Sequence, residues 1–287
     1  MTAVRVTNEL PQRAGPVTEV TIGRVRSGSE PCLGTDHLVG EEPLEIRAGA
    51  AGQAAEPVAV TMRTPGDDFE LATGFLITEG IAPGPESVLS VRYCPTADQQ
   101  QLHNVVLVRL SVAVRAGVGA RTYATSSCGL CGKASLDQLG WRCEPLRGGP
   151  RLASSVVVGM AGSLRVAQPL FDTTGGIHGA GLFDSGGRLV AAREDVGRHN
   201  AVDKLIGHAA RAGIGPLVDY AVMVSGRVGY EIVQKAAMAR VAVLCAVSAP
   251  TSLAVETAER FGVTLVGFVR NGGFNIYSHP ERVELGS

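Results

Sequence analysis

A chain of 287 residues, 45% hydrophobic and 18% charged, can bury a sizeable core and is long enough for two domains. A formal net charge of -1 and a pI near 6.6 exclude a global positive field that recruits nucleic acid or an anionic membrane, so an anionic ligand must be held locally. No apolar run approaches the ~20 residues of a membrane span, and the start Met1-Thr-Ala-Val has no signal-peptide core, which points to a cytoplasmic protein with no membrane partner.

Residues 1–16 are polar, with two prolines and little pattern, and are expected to be disordered. Val20, Ile22 and Val25 suggest a first strand, Leu44-Glu-Ile46 a second and Pro57 to Met62 a third. Thr64-Pro-Gly-Asp-Asp68 predicts a turn ending in a carboxylate helix cap, and the helix runs from Asp68 to Thr78. Phe69, Ala72, Phe75 and Leu76 share one face, and Gly80 stops the helix. Strands near Val88 to Tyr93 and Asn104 to Leu110 follow. A helix across a small mixed sheet makes residues 17–115 a small α+β domain resembling a β-grasp.

Residues 116–150 form a glycine-rich stretch that reads as an inter-domain linker. Inside it lies Thr125-Ser-Ser-Cys128-Gly-Leu-Cys131-Gly-Lys133, two cysteines in a run too polar for a core strand. Thiolates are the reactive form, and a Cys-X-X-Cys beside Lys133 has features that lower a thiol pKa below about 8.5. Four readings compete. A structural zinc needs four ligands, yet Cys32, Cys94, Cys143 and Cys245 are scattered, and no second close pair of Cys or His accompanies Cys128 and Cys131, so no structural metal is expected. A zinc deaminase needs His-X-Glu ahead of Pro-Cys-X-X-Cys, whereas Ser127 precedes Cys128 and His103 is followed by Asn104-Val105. A thioredoxin-like pair sits near the start of a βαβ pattern, and here about half the chain comes first. Inert, buried cysteines fit badly with flanking Ser, Gly and Lys. Reactive thiols on a loop that can reach donor and acceptor suit a group carrier.

Beyond residue 150 the elements alternate: a helix near Ser155 to Phe171, a hairpin of Ile177 to Phe183 and Leu189 to Arg193, and a helix from His199 to Ala212. Strand Ala221 to Val224, helix Tyr230 to Arg240, strand Val243 to Val247, helix Ser252 to Phe261 and strand Thr264 to Val269 complete the pattern. Residues 151–287 therefore read as a three-layer α/β domain with a mixed sheet, resembling the cytidine-deaminase-like fold without its zinc ligands. In open α/β sheets ligands bind beyond the carboxyl ends of the strands. The glycine-rich turns at these ends, with His178, Arg193 to Asn200, Ser225-Gly-Arg227, Ser248 to Ser252 and Arg270-Asn-Gly-Gly273, suit a large anionic ligand. Singly, each is an ordinary turn or cap: Asp195 and Asn200 could cap a helix, His208 reads as solvated, and Asn271-Gly272 is a hairpin turn.

Glu41 to Ile46, Met62 to Asp68, Glu70 to Leu76, Ser127 to Lys133, Glu194 to Lys204, Ser225 to Arg227, Ala246 to Ala254 and Asn275 to Tyr277 together resemble the formate dehydrogenase accessory sulfur carriers, the FdhD family. Gly179, Gly181, Gly229 and Arg240-Val241 depart from the usual pattern. The resemblance implies a cytoplasmic homodimer that takes sulfur from a cysteine desulfurase as a persulfide and passes it to the molybdenum of a bis(molybdopterin guanine dinucleotide) cofactor destined for formate dehydrogenase. By the motif match Cys128 is the carrier and Cys131 its partner. The guanine nucleotide end, for which GDP is an analogue, is expected at Phe268, Val269, Arg270, Asn271, Gly272 and Gly273, with His178, Arg227, Ser248 and Thr251 as neighbours. The alternatives are a nucleotide-binding redox sensor with a regulatory Cys128/Cys131 disulfide, and a cofactor chaperone that needs neither thiol.

Overall fold

The computed structural model describes residues 15–95, 103–114 and 143–285, so Cys128 and Cys131, and residues 1–14 of the stretch 1–16 expected to be disordered, lie outside the described part; of that stretch Pro16 is held in place, its carbonyl accepting the Gly40 N–H (2.9 Å). The chain opens with an antiparallel hairpin, β1 (Val17–Arg24) and β2 (Cys32–Val39), paired from Val17 with Val39 to Arg24 with Cys32. β3 (Glu42–Ala50), β4 (Glu56–Arg63), α1 (Asp68–Thr78), β5 (Val88–Tyr93) and β6 (Val105–Leu110) follow. The four strands lie in the order β4-β3-β6-β5, with β3 and β6 parallel and both outer pairs antiparallel.

The start of α1 departs from the expected carboxylate cap. Asp67 takes the N-cap place in the left-handed region (φ 55°) and its side chain caps nothing. The Asp68 carboxylate is turned instead to Arg63, which donates to it through Nε (2.8 Å) and Nη2 (3.0 Å). Arg63 is 1% and Asp68 3% exposed, and a buried guanidinium survives only with such a fork and further acceptors. His103 O and Asn104 Oδ1 supply them. Gly80 does end the helix: with φ 66° it lets its own N–H reach Ile77 O and the next N–H reach Leu76 O, a Schellman closure.

The second half runs β7 (Leu152–Ala153), α2 (Ser154–Val166), α3 (Pro169–Thr174), β8 (His178–Phe183), β9 (Leu189–Asp195), α4 (Arg198–Ala212), β10 (Ala221–Val224), α5 (Tyr230–Met238), β11 (Val243–Ala246), α6 (Ser252–Phe261), β12 (Thr264–Arg270), β13 (Gly273–Ser278) and β14 (Val283–Glu284). The single helix expected over 155–171 is two, because Pro169 cannot continue α2 and instead starts α3. The mixed sheet has the order β13-β12-β11-β10-β8-β9, with β10, β11 and β12 parallel. β14 pairs with β7 in a small parallel sheet.

Both faces of the six-stranded sheet are covered. Phe183, Met223, Cys245 and Val266 pack against Val157, Met160 and Leu164 of α2. On the other face Leu182, Val222, Leu244 and Leu265 join Leu205, Ile232 and Ala258 of α4, α5 and α6, and this same core takes in Leu71 and Leu76 of α1 and Leu44, Ile46, Val106 and Val108 of the four-stranded sheet. One core therefore runs from one sheet to the other through the helices.

That continuity explains why α1 is buried from Leu71 to Thr78, although its sequence suggested a single apolar face. Its second face meets α4 where Gly74 crosses Gly207. A Cβ on Gly74 would stand 2.7 Å from the carbonyl carbon of Asp203, and one on Gly207 2.8 Å from the amide nitrogen of Gly74. Buried polar groups lock the same junction. Lys204 Nζ lies 2.8 Å from Asp195 Oδ2 and donates to Thr64 O (2.9 Å), while Thr64 N–H donates to Asp195 Oδ2 (3.1 Å). Lys235 Nζ donates to Asp203 (2.9 Å), Glu79 (2.8 Å) and the Thr78 hydroxyl (3.1 Å). His208, expected to be solvated, is half-buried with Nδ1 2.9 Å from Glu70 Oε1 and 2.6 Å from Arg193 Nη2.

Candidate functional site

Strand direction assembles the site. β10, β11 and β12 are parallel and finish at one edge of the sheet; β8 and β13, antiparallel to their neighbours, begin there, and β9 ends there with Asp195 opposite His178. The edge thus collects His178, the turn Asp195 to His199, Ser225 to Arg227, Ser248 to Thr251 and Phe268 to Gly273. The turns interlock through the backbone: Phe268 N–H donates to Ser248 O (3.2 Å), Thr251 N–H to Val228 O (2.9 Å), and Gly179 N–H to the Ser225 hydroxyl (2.9 Å).

At the β12 end, Asn271 (φ 54°) and Gly272 (φ 77°) are the two central residues of a tight hairpin in which Arg270 pairs with Gly273. Two successive positive φ values favour an Asn-Gly dipeptide at that turn. The hairpin reading of the dipeptide is therefore right, and β13 is the strand it predicts. Gly272 and Gly273 have no atom within 4 Å of where a Cβ would stand, so their backbone faces open space. Arg270 is exposed, its guanidinium carbon 4.9 Å from the centre of the Phe268 ring. Phe268 is itself in the left-handed region (φ 54°), uncommon for a bulky residue. Val269 is buried and contributes packing, with backbone alone available to a ligand.

Arg227 is exposed and Ser248 half-buried. The Thr251 hydroxyl is already engaged, accepting the Ala254 N–H (3.2 Å) as the N-cap of α6. Thr251→Ala is expected to cost about 1 kcal/mol of stability, read as a shift in the denaturant midpoint. Asp195 and Asn200, weighed as helix caps, are built into the buried junction: Asp195 Oδ1 accepts Gly197 N–H (2.8 Å) and Asn200 Nδ2 (3.0 Å), and Asn200 Nδ2 also donates to Met62 O (2.7 Å).

His178 is half-buried. Burial, reinforced by Arg198 and His199, depresses its pKa and favours the neutral ring. His199, part of the Arg193-to-Asn200 stretch expected at the ligand edge but not singled out there as a site residue, sits in the first turn of α4. Among the described residues its Nε2 is buried without a hydrogen-bond partner and lies 3.9 Å from Glu231 Oε2, beyond hydrogen-bond length. The His199 ring is the chief reason the Glu231 carboxyl is held down to about 2. Its place between a strand end and a helix start was the available sequence signal. Of the other cysteines, Cys94, Cys143 and Cys245 are buried and Cys32 is exposed. Burial pushes the Cys245 thiol up to about 12 and raises that of Cys143, so neither is a ready thiolate. Among the described residues no group of His, Cys, Asp or Glu could hold a metal ion, and no helix is long and apolar enough to cross a membrane.

A mixed α/β protein with a polar, glycine-rich sheet edge and a Cys-X-X-Cys in its sequence defines the class, and comparison with known proteins narrows it. The model of the FdhD/NarQ family matches residues 39–284, and the chain belongs to that family. It is 46% identical to the sulfur carrier protein FdhD of Streptomyces avermitilis over 94% of this chain and 97% of that protein. It is 47% identical to the FdhD protein of Mycolicibacterium paratuberculosis over 93% and 97% respectively. A crystal structure from Desulfotalea psychrophila, assigned as a formate dehydrogenase accessory protein, superposes with a TM-score of 0.73 at 25% identity, covering 93% of this chain and 99% of that one.

Proposed function

We propose that this protein is a sulfur carrier that accepts persulfide sulfur from a cysteine desulfurase on Cys128, with Cys131 as its partner thiol. It then transfers that sulfur to the molybdenum of a bis(molybdopterin guanine dinucleotide) bound as substrate, before the cofactor enters formate dehydrogenase. The observation that carries the reading is the Ser127-to-Lys133 motif inside a chain matched over nearly its whole length by proteins named sulfur carriers. Attack of an ionised thiol on a sulfur donor is exchange chemistry, and it requires an accessible thiolate. The test is to incubate the protein with a desulfurase and cysteine and weigh it. A persulfide adds one sulfur; loss of two hydrogens would instead favour a regulatory disulfide. The protein is read as a cytoplasmic homodimer, its four-stranded unit as β-grasp-like and its six-stranded unit as deaminase-like.

The nucleotide end of the cofactor is assigned to the sheet edge. Arg270 and Arg227 are exposed cations, and the open backbone at Gly272 and Gly273 allows amide groups to approach a phosphate. His178 and Ser248 flank them, and Thr251 stands at the start of α6. Arg270→Ala is expected to weaken GDP binding by about 1.5 to 3 kcal/mol, the range for hydrogen bonds to a charged group, without changing persulfide formation on Cys128. Calorimetry giving equal GDP affinity for both proteins would remove Arg270 from the site.

A further inference from the structure

Helices α4 and α5 lie on one face of the six-stranded sheet, where Leu205 and Ile232 share a core with Leu182 of β8. Their first turns come together at the ligand edge, with His199 of α4 facing Glu231 of α5. Alternation along β8 puts His178 on the same face as Ala180 and Leu182. A Cβ on Gly226 would stand 3.2 Å from His178 Nδ1, and one on Gly229 2.9 Å from Glu231 Oε2. The Ser225-to-Gly229 loop, which carries Arg227, therefore runs between the His178 ring and the Glu231 carboxylate.

His199 Nε2 and Glu231 Oε2 are 3.9 Å apart, too far to bond each other and close enough to meet one ligand group. The carboxylate is ionised at neutral pH, its pKa held down to about 2 chiefly by the His199 ring. A carboxylate in that place favours the imidazole tautomer with its proton on Nε2. A donor and an acceptor thus stand side by side, neither satisfied by the other. A buried ring nitrogen without a partner among the described residues calls for an explanation. The Glu231 side chain is 56% exposed, so a flat ligand edge entering between the two groups has only to turn a surface side chain.

We infer that His199 and Glu231 read a ring edge in which a carbonyl acceptor adjoins an N–H donor, the aminopyrimidinone edge that guanine and the pterin of molybdopterin share. His199 Nε2–H donates to the carbonyl, and the Glu231 carboxylate accepts the ring N–H and the exocyclic amine. Adenine presents an amine where guanine has its carbonyl, which leaves both protein groups without partners. The inference rests on the assignment of the nucleotide end to the sheet edge, and adds the residues that choose the ring. The turn Arg270 to Gly273 follows β12 and α5 follows β10, two strands away, roughly 10 Å by strand spacing. One extended nucleotide bridges that span.

The test is calorimetry of the full chain, wild type and Glu231→Gln, with GDP, inosine diphosphate and hydroxymethylpterin. Glutamine keeps the shape and loses the charge at an exposed position, so folding should be unchanged. If guanine is the occupant, wild type should prefer GDP to inosine diphosphate, which lacks the exocyclic amine, by at least about tenfold, and Glu231→Gln should bring the two within about twofold. If the pterin is the occupant, the substitution should lower pterin affinity about tenfold and leave GDP unchanged. GDP and inosine diphosphate weakened alike would make Glu231 a structural residue and overturn the reading site. Unchanged affinity for both GDP and the pterin would overturn it too, and leave the edge assignment standing. A wild-type protein that binds neither would overturn both.

Discussion

Replacing Cys128 with Ser is expected to abolish maturation of a partner formate dehydrogenase, with no measurable loss of folding stability. Serine differs by one atom and cannot carry a persulfide, since its oxygen forms no bond with sulfane sulfur under exchange conditions and the thiolate is the attacking species. Cys131→Ser should impair maturation too. Substitution of Cys32, Cys94, Cys143 or Cys245 by Ser should leave sulfur transfer intact, because the burial that raises the Cys143 and Cys245 thiols makes them small hydrophobes rather than nucleophiles. The measurement is formate oxidation by enzyme matured with each variant, beside thermal melts of the variants themselves. Near-normal oxidation with Cys128→Ser would sink the carrier reading and favour a chaperone that needs no thiol.

Local signals carried much of the fold. α1, β10 and α6 begin and end where the sequence places them, at Asp68–Thr78, Ala221–Val224 and Ser252–Phe261, because Gly80, Gly262 and the Thr251 cap punctuate the chain strongly. β2 escaped notice since Cys32-Leu-Gly-Thr-Asp-His37 has no alternation: both faces of that hairpin are largely exposed, so no buried side imposes a pattern. The gathering of turns at one sheet edge was legible because parallel strands separated by helices must end together. What side chains do there was not. Thr251 looks like a ligand contact in sequence and spends its hydroxyl on a cap, while Asp68 looks like a cap and spends its carboxylate on Arg63.

Long-range pairing was the other illegible part. Thr64 N–H meets the Asp195 carboxylate across 131 residues and Arg193 Nη2 meets Glu70 across 123. The motifs Met62 to Asp68 and Glu194 to Lys204, which stood out as family marks, prove to be two halves of one buried junction. Glu194 shows how such a residue hides: its two carboxylate oxygens accept the Leu170 and Phe171 N–H groups (3.0 and 2.9 Å) and so cap α3, which lies more than twenty positions earlier. Motif residues at this junction, Thr64, Asp195 and Lys204 among them, hold the sheet edge in place.

The junction also yields the largest stability effect expected here, from Gly74→Ala. Alanine is ordinarily the better helix former, by roughly 1 kcal/mol, so the change should help wherever there is room. At Gly159 in α2 a Cβ meets nothing within 4 Å, and Gly159→Ala is expected to stabilise the protein by up to about that amount. At Gly74 the new methyl group would stand 2.7 Å from the Asp203 carbonyl carbon and 2.8 Å from the Gly207 amide nitrogen, which are backbone atoms and cannot swing aside. The two helices must separate. Moving α4 away from α1 also stretches the Thr78 to Asp203 hydrogen bond (2.6 Å) and the Lys235 contacts, leaving buried charges with poorer partners. Overpacking and the strained ion pair together should cost more than about 3 kcal/mol. Urea unfolding followed by circular dichroism measures both variants, and the expected outcome is opposite signs for the same Gly→Ala change. A Gly74→Ala protein as stable as wild type would mean that α1 and α4 are not held together at this crossing.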